Sequence, residues 1–283
     1  IQIAIITKLI NNTKFKIDKG DHLLDTHTHI LWNIDDGSKN QCMSLQMLEI
    51  AARSGTKAIF ATPHVIERAN KPSWEEIKEK TQQLRQLCAE AQIDIMLYPG
   101  AEVQMNWELL PELGATGAYC LNGGRYLLIE LPAAEIPAYA DEFWYELELK
   151  GITPILAHPE RYQQLRENPD LLLLWRRRGM LMQCNSGSFT GMFGSSVCEN
   201  AKVLLANGLV DLLGSDGHRS EGRNTDMSRA AAVIRQLAGE EVLRQLTETN
   251  PQAILKNQEI ELKQPKVLLE DKPKSFWQKL FGK

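Results

Sequence analysis

Three short strings, far apart in the chain, each bring together residues of metal-ligand type: D-T-H-T-H at Asp25–His29, A-H-P-E-R at Ala157–Arg161 and S-D-G-H at Ser215–His218. Four of the six histidines fall in them (His27, His29, His158 and His218), and a fifth, His64, closes the string A-T-P-H. Imidazole mixed with carboxylate suits Mn, Fe or Zn better than Ca or Mg. Nine residues qualify as ligands: His27, His29, Asp36, His64, Glu102, Glu130, His158, Asp216 and His218. A zinc site takes about four ligands, so nine imply two or three divalent ions. Asp35 and Asp36 both precede Gly37 and a helix start, where a carboxylate can instead cap the helix. Spacing does not separate the two, and Asp36 is the chosen ligand. Four carboxylates bring about −4 against about +6 from three ions, so the centre is electropositive and suited to phosphate. A water between the ions would lose its proton near neutral pH and attack in line. Arg161 and Arg223 lie close after His158 and His218, where each can fork onto phosphate oxygens and offset charge in the transition state.

These residues need a scaffold that gathers them. From Leu23 onward, apolar runs alternate with amphipathic stretches. The strand-like runs are Leu23–Thr26, Lys57–Ala61, Ile93–Tyr98, Tyr126–Leu131, Ile152–Ala157, Met180–Cys184 and Val210–Leu213. Helical patterns cover Ser38–Ser54, with Gly55 as a C-cap signal, and Ser73–Ala91, with Ser73 and Glu76 as a capping box. Further helices are expected over Ile136–Lys150, Asn168–Arg178, Ser195–Ala206, Asp226–Ala238 and Glu240–Thr247. Repeated β and α units imply a parallel sheet with right-handed crossovers. Seven such units suggest a closed or nearly closed barrel, although periodicity does not exclude an open sheet. His27, His29, His64, Glu102, Glu130, His158, Asn185, Asp216 and His218 fall at or just past the ends of these runs, the rim where parallel α/β folds place catalysis.

The bulk properties agree with a single catalytic domain. A chain of 283 residues with net charge −4 has ordinary hydrophobicity and no basic face for non-specific nucleic-acid binding. Five cysteines without C-x-x-C spacing fit a reducing cytoplasm better than a disulfide framework. Ile1–Ile6 is too short for a signal-peptide core, and no apolar stretch approaches a membrane span. The expected organisation is an extension over 1–20, a single domain over 21–258 and a tail over 259–283.

Taken in order, D-T-H-T-H-I at 25–30, D-D-G at 35–37, A-T-P-H at 61–64, G-A-E at 100–102, L-I-E-L-P at 128–132, A-H-P-E-R-Y at 157–162, N-S-G-S at 185–188 and S-D-G-H at 215–218 resemble the PHP (polymerase and histidinol phosphatase) superfamily. Within it, the chain is most similar to the bacterial protein-tyrosine phosphatases of capsular and exopolysaccharide operons. The resemblance implies a distorted seven-stranded β/α barrel, the PHP fold, holding a trinuclear metal site, with Mn²⁺ the expected ion. It implies one ion on His27, His29, Glu102 and Asp216, a second on Glu102, Glu130 and His158, and a third on Asp36, His64 and His218. It matches Arg161 and Arg223 to phosphate-binding arginines. Tyrosinate needs little acid help, and His158 or a metal-bound water could donate the proton. The implied substrate is a phosphotyrosine protein, the tail of a cytoplasmic tyrosine autokinase that controls polysaccharide export. Val65 departs from relatives that carry a second histidine after A-T-P-H.

Rival readings are a histidinol-phosphate or small phosphomonoester phosphatase, and a non-catalytic phosphoprotein-binding adaptor. A cysteine phosphatase needs five residues between Cys and Arg, whereas Cys120-Leu-Asn-Gly-Gly-Arg125 has four and leads into a strand. The tail segment Ser275–Lys283, with Phe276, Trp277, Leu280 and Phe281 at helical spacing, is read as packed or disordered. A weak membrane-surface or partner contact is its sharper alternative.

Overall fold

The alternation of strand and helix is present in the computed structural model, which describes residues 22–113, 117–263 and 265. The extension over 1–20 and the segment Ser275–Lys283 lie outside the described residues. Nine strands are found among them: β1 (Leu23–Thr28), β2 (Thr56–Ala61), β3 (His64–Val65), β4 (Met96–Pro99), β5 (Glu102–Gln104), β6 (Tyr126–Glu130), β7 (Thr153–Ala157), β8 (Leu181–Asn185) and β9 (Leu212–Gly214). All pair in parallel, as β1-β2-β4 and β3-β5-β6-β7-β8-β9.

Seven runs were expected, and two of them are broken staves. Pro63 has no N–H to give a ladder, so β2 stops before it and β3 resumes after it. The neighbouring stave breaks at Gly100 and Ala101. Hydrogen bonds from Gly100 N to Ala61 O (2.9 Å) and from Glu102 N to Pro63 O (3.0 Å) carry the pairing across the gap. The sheet then curls back on itself. Asp216 N donates to His27 O (2.7 Å) and His29 N donates to Gly217 O (2.9 Å), joining the end of β9 to β1. The result is a distorted seven-staved β/α barrel, closed where the candidate ligands lie.

The run expected at Ile93–Tyr98 starts late, at Met96, because Ile93 N is used by Cys88 O (3.0 Å) to finish the preceding helix. The helix expected from Ser38 begins at Gln41 and is capped by Asn40, whose Oδ1 accepts from Met43 N (2.9 Å). Neither Asp35 nor Asp36 is therefore needed as a cap. Ser73 caps Trp74–Glu90 as expected, its Oγ accepting from Glu76 N (3.1 Å). The remaining helices include Ala140–Leu149, Asp170–Arg177, Ser195–Ala206 and Ser228–Ala238. Glu240–Arg244 continues into a wider turn over Gln245–Thr249. Met47 and Leu48 are buried in the core, with Met43 and Leu45 packed against it, so this methionine-rich stripe is packing rather than an open face.

Alternation along the strands separates two apolar layers. Phe60, Tyr126, Leu128, Ile155, Leu181 and Leu212 form one cluster, filling the barrel interior as in other parallel barrels. Leu127, Ile129, Leu156, Met182 and Leu213 face the other way and pack with the helices. With both faces covered, the strands read as near-continuous apolar runs. Among the described residues no helix is long and apolar enough to cross a membrane.

One buried ion pair braces the far end of the barrel. Arg176 and Asp211 are 3% and 4% exposed and in direct contact, and Asp211 Oδ2 also accepts from Met182 N (2.8 Å). Removing one partner strands the other charge, which costs about 3–5 kcal/mol. Arg176→Met should therefore lower unfolding stability by about that amount in chemical denaturation. A loss below about 1 kcal/mol would mean that Asp211 finds water.

Candidate metal centre

β1 supplies His27, and His29 follows directly after it; both are buried, and neighbouring groups orient their rings. Gln183 Nε2 donates to Cys184 O (2.7 Å) and Asn185 Oδ1 (3.0 Å), so its Oε1 is left to accept from His27 Nδ1 (2.9 Å). His29 Nδ1 donates to Asp35 Oδ2 (2.7 Å), and Asp35 also accepts from Gly37 N (2.9 Å) and His64 N (2.9 Å). Both Nδ1 atoms are thus engaged from behind and both Nε2 atoms face inward, the orientation in which imidazoles ligate a metal. Their Nε2 atoms stand 3.1 Å apart. Gly37 allows this wrap, since a Cβ there would lie 2.2 Å from His29 O.

Glu102, at the start of β5, is the hub. Its Oε2 lies 2.9 Å from His27 Nε2, 3.2 Å from His29 Nε2 and 3.2 Å from His64 Nδ1, while Oε1 lies 3.0 Å from His158 Nε2. Asp216 Oδ1 stands 3.5 Å from His27 Nε2 and 3.3 Å from His29 Nε2. Glu130, at the end of β6, reaches His158 Nε2 at 3.7 Å and His64 Nδ1 at 4.0 Å. Asp36 Oδ1 lies 3.3 Å from His218 Nε2 and 3.6 Å from His64 Nε2. His218 Nδ1 donates to Asp216 O (3.0 Å), freeing that Nε2.

Three ligand-type groups result, each with its atoms within 4.8 Å of one another: His27, His29, Glu102 and Asp216; His29, Asp36, His64 and His218; and His64, Glu102 and Glu130. The fold gathers all nine candidate residues into one site. His64 faces two groups at once, and His29 stands beside the trio Asp36, His64 and His218. Of the two adjacent aspartates, Asp36 points into the site, while Asp35 orients His29 from behind.

The donor set fits cations. Glu102 Oε2 and Asp216 Oδ1 are buried and receive no hydrogen bond, although buried acceptors are nearly always satisfied. Without an ion, protons on the imidazoles offset the carboxylate charges. Burial pushes His27 and His29 down, but Glu102 and Asp216 beside His27, and Asp35 beside His29, raise both above the ordinary imidazole value. Burial would raise the Glu102 and Asp216 carboxyls, but the facing imidazoles, His27 above all, hold them well below their usual range. Glu130 goes the other way: burial, then the Glu102 charge, push it up to about 7. The His218 ring facing it holds the Asp36 carboxyl below its usual range. Burial and the His29 charge push His64 down to about 4.

Two of the residues carry left-handed backbone, His158 at φ +36° and Asp216 at φ +53°. Such strain costs about 1–3 kcal/mol each and persists where surrounding structure enforces it. Here Asp25 does part of the enforcing, its Oδ1 accepting from His27 N (3.2 Å) and Ser215 N (2.8 Å). Its complete burial pushes the Asp25 carboxyl up to about 6.

Asp216 faces two ways. Its Oδ2 accepts from Asn185 Nδ2 (2.6 Å), from Arg161 Nη1 (3.2 Å) and, in a very close contact, from Arg223 Nη2. Asn185 is held in turn by Glu160, whose Oε1 accepts from Asn185 N (2.9 Å) and Ser188 Oγ (2.6 Å). A cavity of about 470 Å³, lined in part by Glu130, Pro132, Ile136, His158, Arg161 and Gln164, opens beside Arg161. A larger one, about 690 Å³, lies at the opposite end of the barrel between Tyr126, Trp144 and Trp175. It contains none of the nine candidate ligands and no histidine, so chemistry and not size identifies the site. Cys120 is buried, and burial pushes its thiol up to about 12, which removes the thiolate a cysteine phosphatase needs.

Gln183, Asp25, Glu160 and the orienting role of Asp35 were not among the expected site residues. The one sequence signal was polar residues inside buried apolar runs, as in M-L-M-Q-C-N at 180–185. Orienting partners of this kind typically change metal affinity 10–100-fold. Gln183→Leu should therefore weaken metal binding by about 10–100-fold in a competition titration with a chelating dye. An unchanged affinity would mean that His27 holds its tautomer without Gln183.

The family "Capsular polysaccharide synthesis, CpsB/CapC" matches residues 23–256. Tyrosine-protein phosphatase YwqE of Bacillus subtilis is 34% identical over 238 residues, covering 84% of this chain and 93% of that protein. Tyrosine-protein phosphatase CpsB of Streptococcus pneumoniae is 28% identical over 241 residues, covering 83% of this chain and 99% of that protein. A crystal structure from work on YwqE and CpsB, described as unique metal-dependent tyrosine phosphatases, superposes with a TM-score of 0.80 at 32% identity, covering 88% of this chain and all of that one. Histidinol phosphate phosphatase from Lactococcus lactis shares the fold at a TM-score of 0.50 and 16% identity, covering 77% of this chain and 94% of that one. A family match across most of the chain, a relative above 30% identity and a shared barrel agree: this protein belongs to the CpsB/CapC family of capsular polysaccharide synthesis proteins.

Proposed function

We propose that this protein is a metal-dependent phosphatase that hydrolyses phosphotyrosine on proteins, with the tail of a bacterial tyrosine autokinase as its substrate. The observation that carries the reading is the two-sided contact of the buried Asp216 carboxylate. One oxygen faces His27 and His29, and the other faces Arg161, Arg223 and Asn185. A site for divalent ions and a site for phosphate oxygens therefore share one carboxylate.

Two or three ions, Mn²⁺ ahead of Fe or Zn, would supply Lewis acidity and a lowered pKa for water. His27, His29, Glu102 and Asp216 would hold one, Glu102, Glu130 and His158 a second, and Asp36, His64 and His218 a third. Arg161 and Arg223 bind the phosphate oxygens and offset charge as the bond to the leaving group breaks. The cavity beside Arg161 receives the tyrosyl side chain and its peptide. Tyrosinate has a pKa of about 10, so it leaves with modest help. His158, which lines that cavity, would hold a proton for the leaving tyrosinate. The relatives' names as tyrosine phosphatases support the substrate class, and the capsule-synthesis family supports the setting. The free cysteines suit a reducing compartment, and we place the reaction in the cytoplasm.

The test is phosphate release from a phosphotyrosine peptide and from histidinol phosphate, with metal-stripped protein and after adding Mn²⁺. Metal-dependent turnover of the peptide in preference to histidinol phosphate is expected. The reverse preference would make the protein a small-molecule phosphatase, and inactivity on both would make it a phosphoprotein-binding adaptor.

A further inference from the structure

Arg161 and Arg223 come from separate segments, yet their like charges meet at one carboxylate oxygen. Both are largely covered, at 32% and 29% side-chain exposure. Asp216 attracts them from one side. On the other side lies an aromatic ring that no ligand argument uses. The Arg161 guanidinium carbon sits 4.6 Å from the centroid of the Phe193 ring, and that of Arg223 sits 5.7 Å from the same centroid. Both fall within the roughly 6 Å range at which a cation is drawn to an aromatic face.

The chain builds this contact deliberately. After β8 a short helix over Ser186–Phe189 is followed by a tight reversal, with Met192 N donating to Gly187 O (3.0 Å) and Gly194 N to Gly191 O (3.1 Å). Gly191 and Gly194 hold left-handed φ of +84° and +93°, which side-chain-bearing residues rarely adopt. Gly187 leaves room for the fold-back. A Cβ there would stand 2.9 Å from Met192 Sδ and 3.2 Å from Phe193 Cε2. Phe193 is partly buried against this helix.

We propose that Phe193 is the positioning residue for the arginine pair: its ring is the shared neutral surface that holds both guanidinium groups in register for one phosphate. This rests on the reading of Arg161 and Arg223 as phosphate ligands and deepens it. An arginine held only by Asp216 is a flexible side chain that must be ordered when phosphate arrives. A guanidinium already laid on a ring loses less freedom on forming its hydrogen bonds. Two like charges also approach more easily when an electron-rich face offsets part of their repulsion. Phe193 touches no reacting atom in this scheme and acts through the arginines.

The test compares Phe193→Leu and Phe193→Tyr with the parent protein, all loaded with Mn²⁺. Leucine keeps the apolar bulk and removes the ring, whereas tyrosine restores it. Binding of inorganic phosphate by calorimetry should weaken about tenfold in the leucine variant and stay within about twofold in the tyrosine variant. The metal content of both should match the parent. With a phosphotyrosine peptide the leucine variant should show a raised KM, and Arg161→Ala should cost less in the leucine background than in the parent, because the two act as a unit.

Unchanged phosphate affinity in the leucine variant would overturn the proposal. A tyrosine variant no better than leucine would do the same, as would a fall in metal content that accounts for the loss. If the parent fails to turn over phosphotyrosine while phosphate binding still depends on the ring, the proposed function falls and the role of Phe193 stands.

Discussion

Glu102→Gln is expected to cut turnover by about 10³-fold, some 4 kcal/mol of transition-state stabilisation, and to leave the protein short of metal at matched free Mn²⁺. The substitution preserves shape, so the loss is one of charge and lone pairs. Glu102 stands within 3.2 Å of four imidazoles, those of His27, His29, His64 and His158. An amide there has one acceptor where the carboxylate has two, and its N–H₂ would point at a histidine lone pair or at an ion. Glu130→Gln is the matched comparison. Glu130 is 20% exposed and makes only longer contacts, to His158 and His64, so its variant should keep more metal and more activity. Metal per chain by atomic emission, measured beside kcat/KM, decides the matter. A Glu102→Gln protein with full metal content and activity within tenfold of the parent would remove Glu102 from the ligand set.

The second large effect concerns the arginines. Arg161→Ala and Arg223→Ala should each lower kcat/KM by about 10²–10³-fold, the usual cost of losing one donor to a developing oxyanion. Metal content should not change. Because both side chains reach the same oxygen of Asp216, the double variant should lose less than the product of the single losses. Lysine should rescue only in part, since a point charge cannot grip two oxygens. If Arg161→Ala keeps activity within about threefold, the pair is no more than a partly exposed salt bridge, which contributes little.

The barrel was legible because a buried parallel sheet needs strands that are apolar throughout, and helices between them must show a polar face. The strand of Tyr126–Glu130 and the helix of Ser195–Ala206 follow from that requirement alone. What blurred the reading was backbone chemistry that apolar pattern does not record. Pro63 and Gly100 split two staves, and the carbonyl of Cys88 drew Ile93 out of the strand that its side chain suggested.

The site divides in the same way. Histidines and carboxylates at strand ends are visible in the sequence because metal chemistry restricts residue type, and a parallel fold brings strand ends to one rim. The choice between Asp35 and Asp36 was not visible. It depends on which carboxylate turns back to His29 Nδ1 and which turns toward His218, a matter of one residue's rotation in a turn. Gln183 shows only as a polar residue inside an apolar run, and Phe193 carries no signature, since a phenylalanine in a loop has many uses. The sequence by itself determined a parallel α/β scaffold and the inventory of a candidate metal centre. Tertiary structure alone decided how those ligands group, which neighbours hold their tautomers, and that two distant arginines meet on one carboxylate oxygen, because each depends on distances across strands and loops that local sequence does not encode.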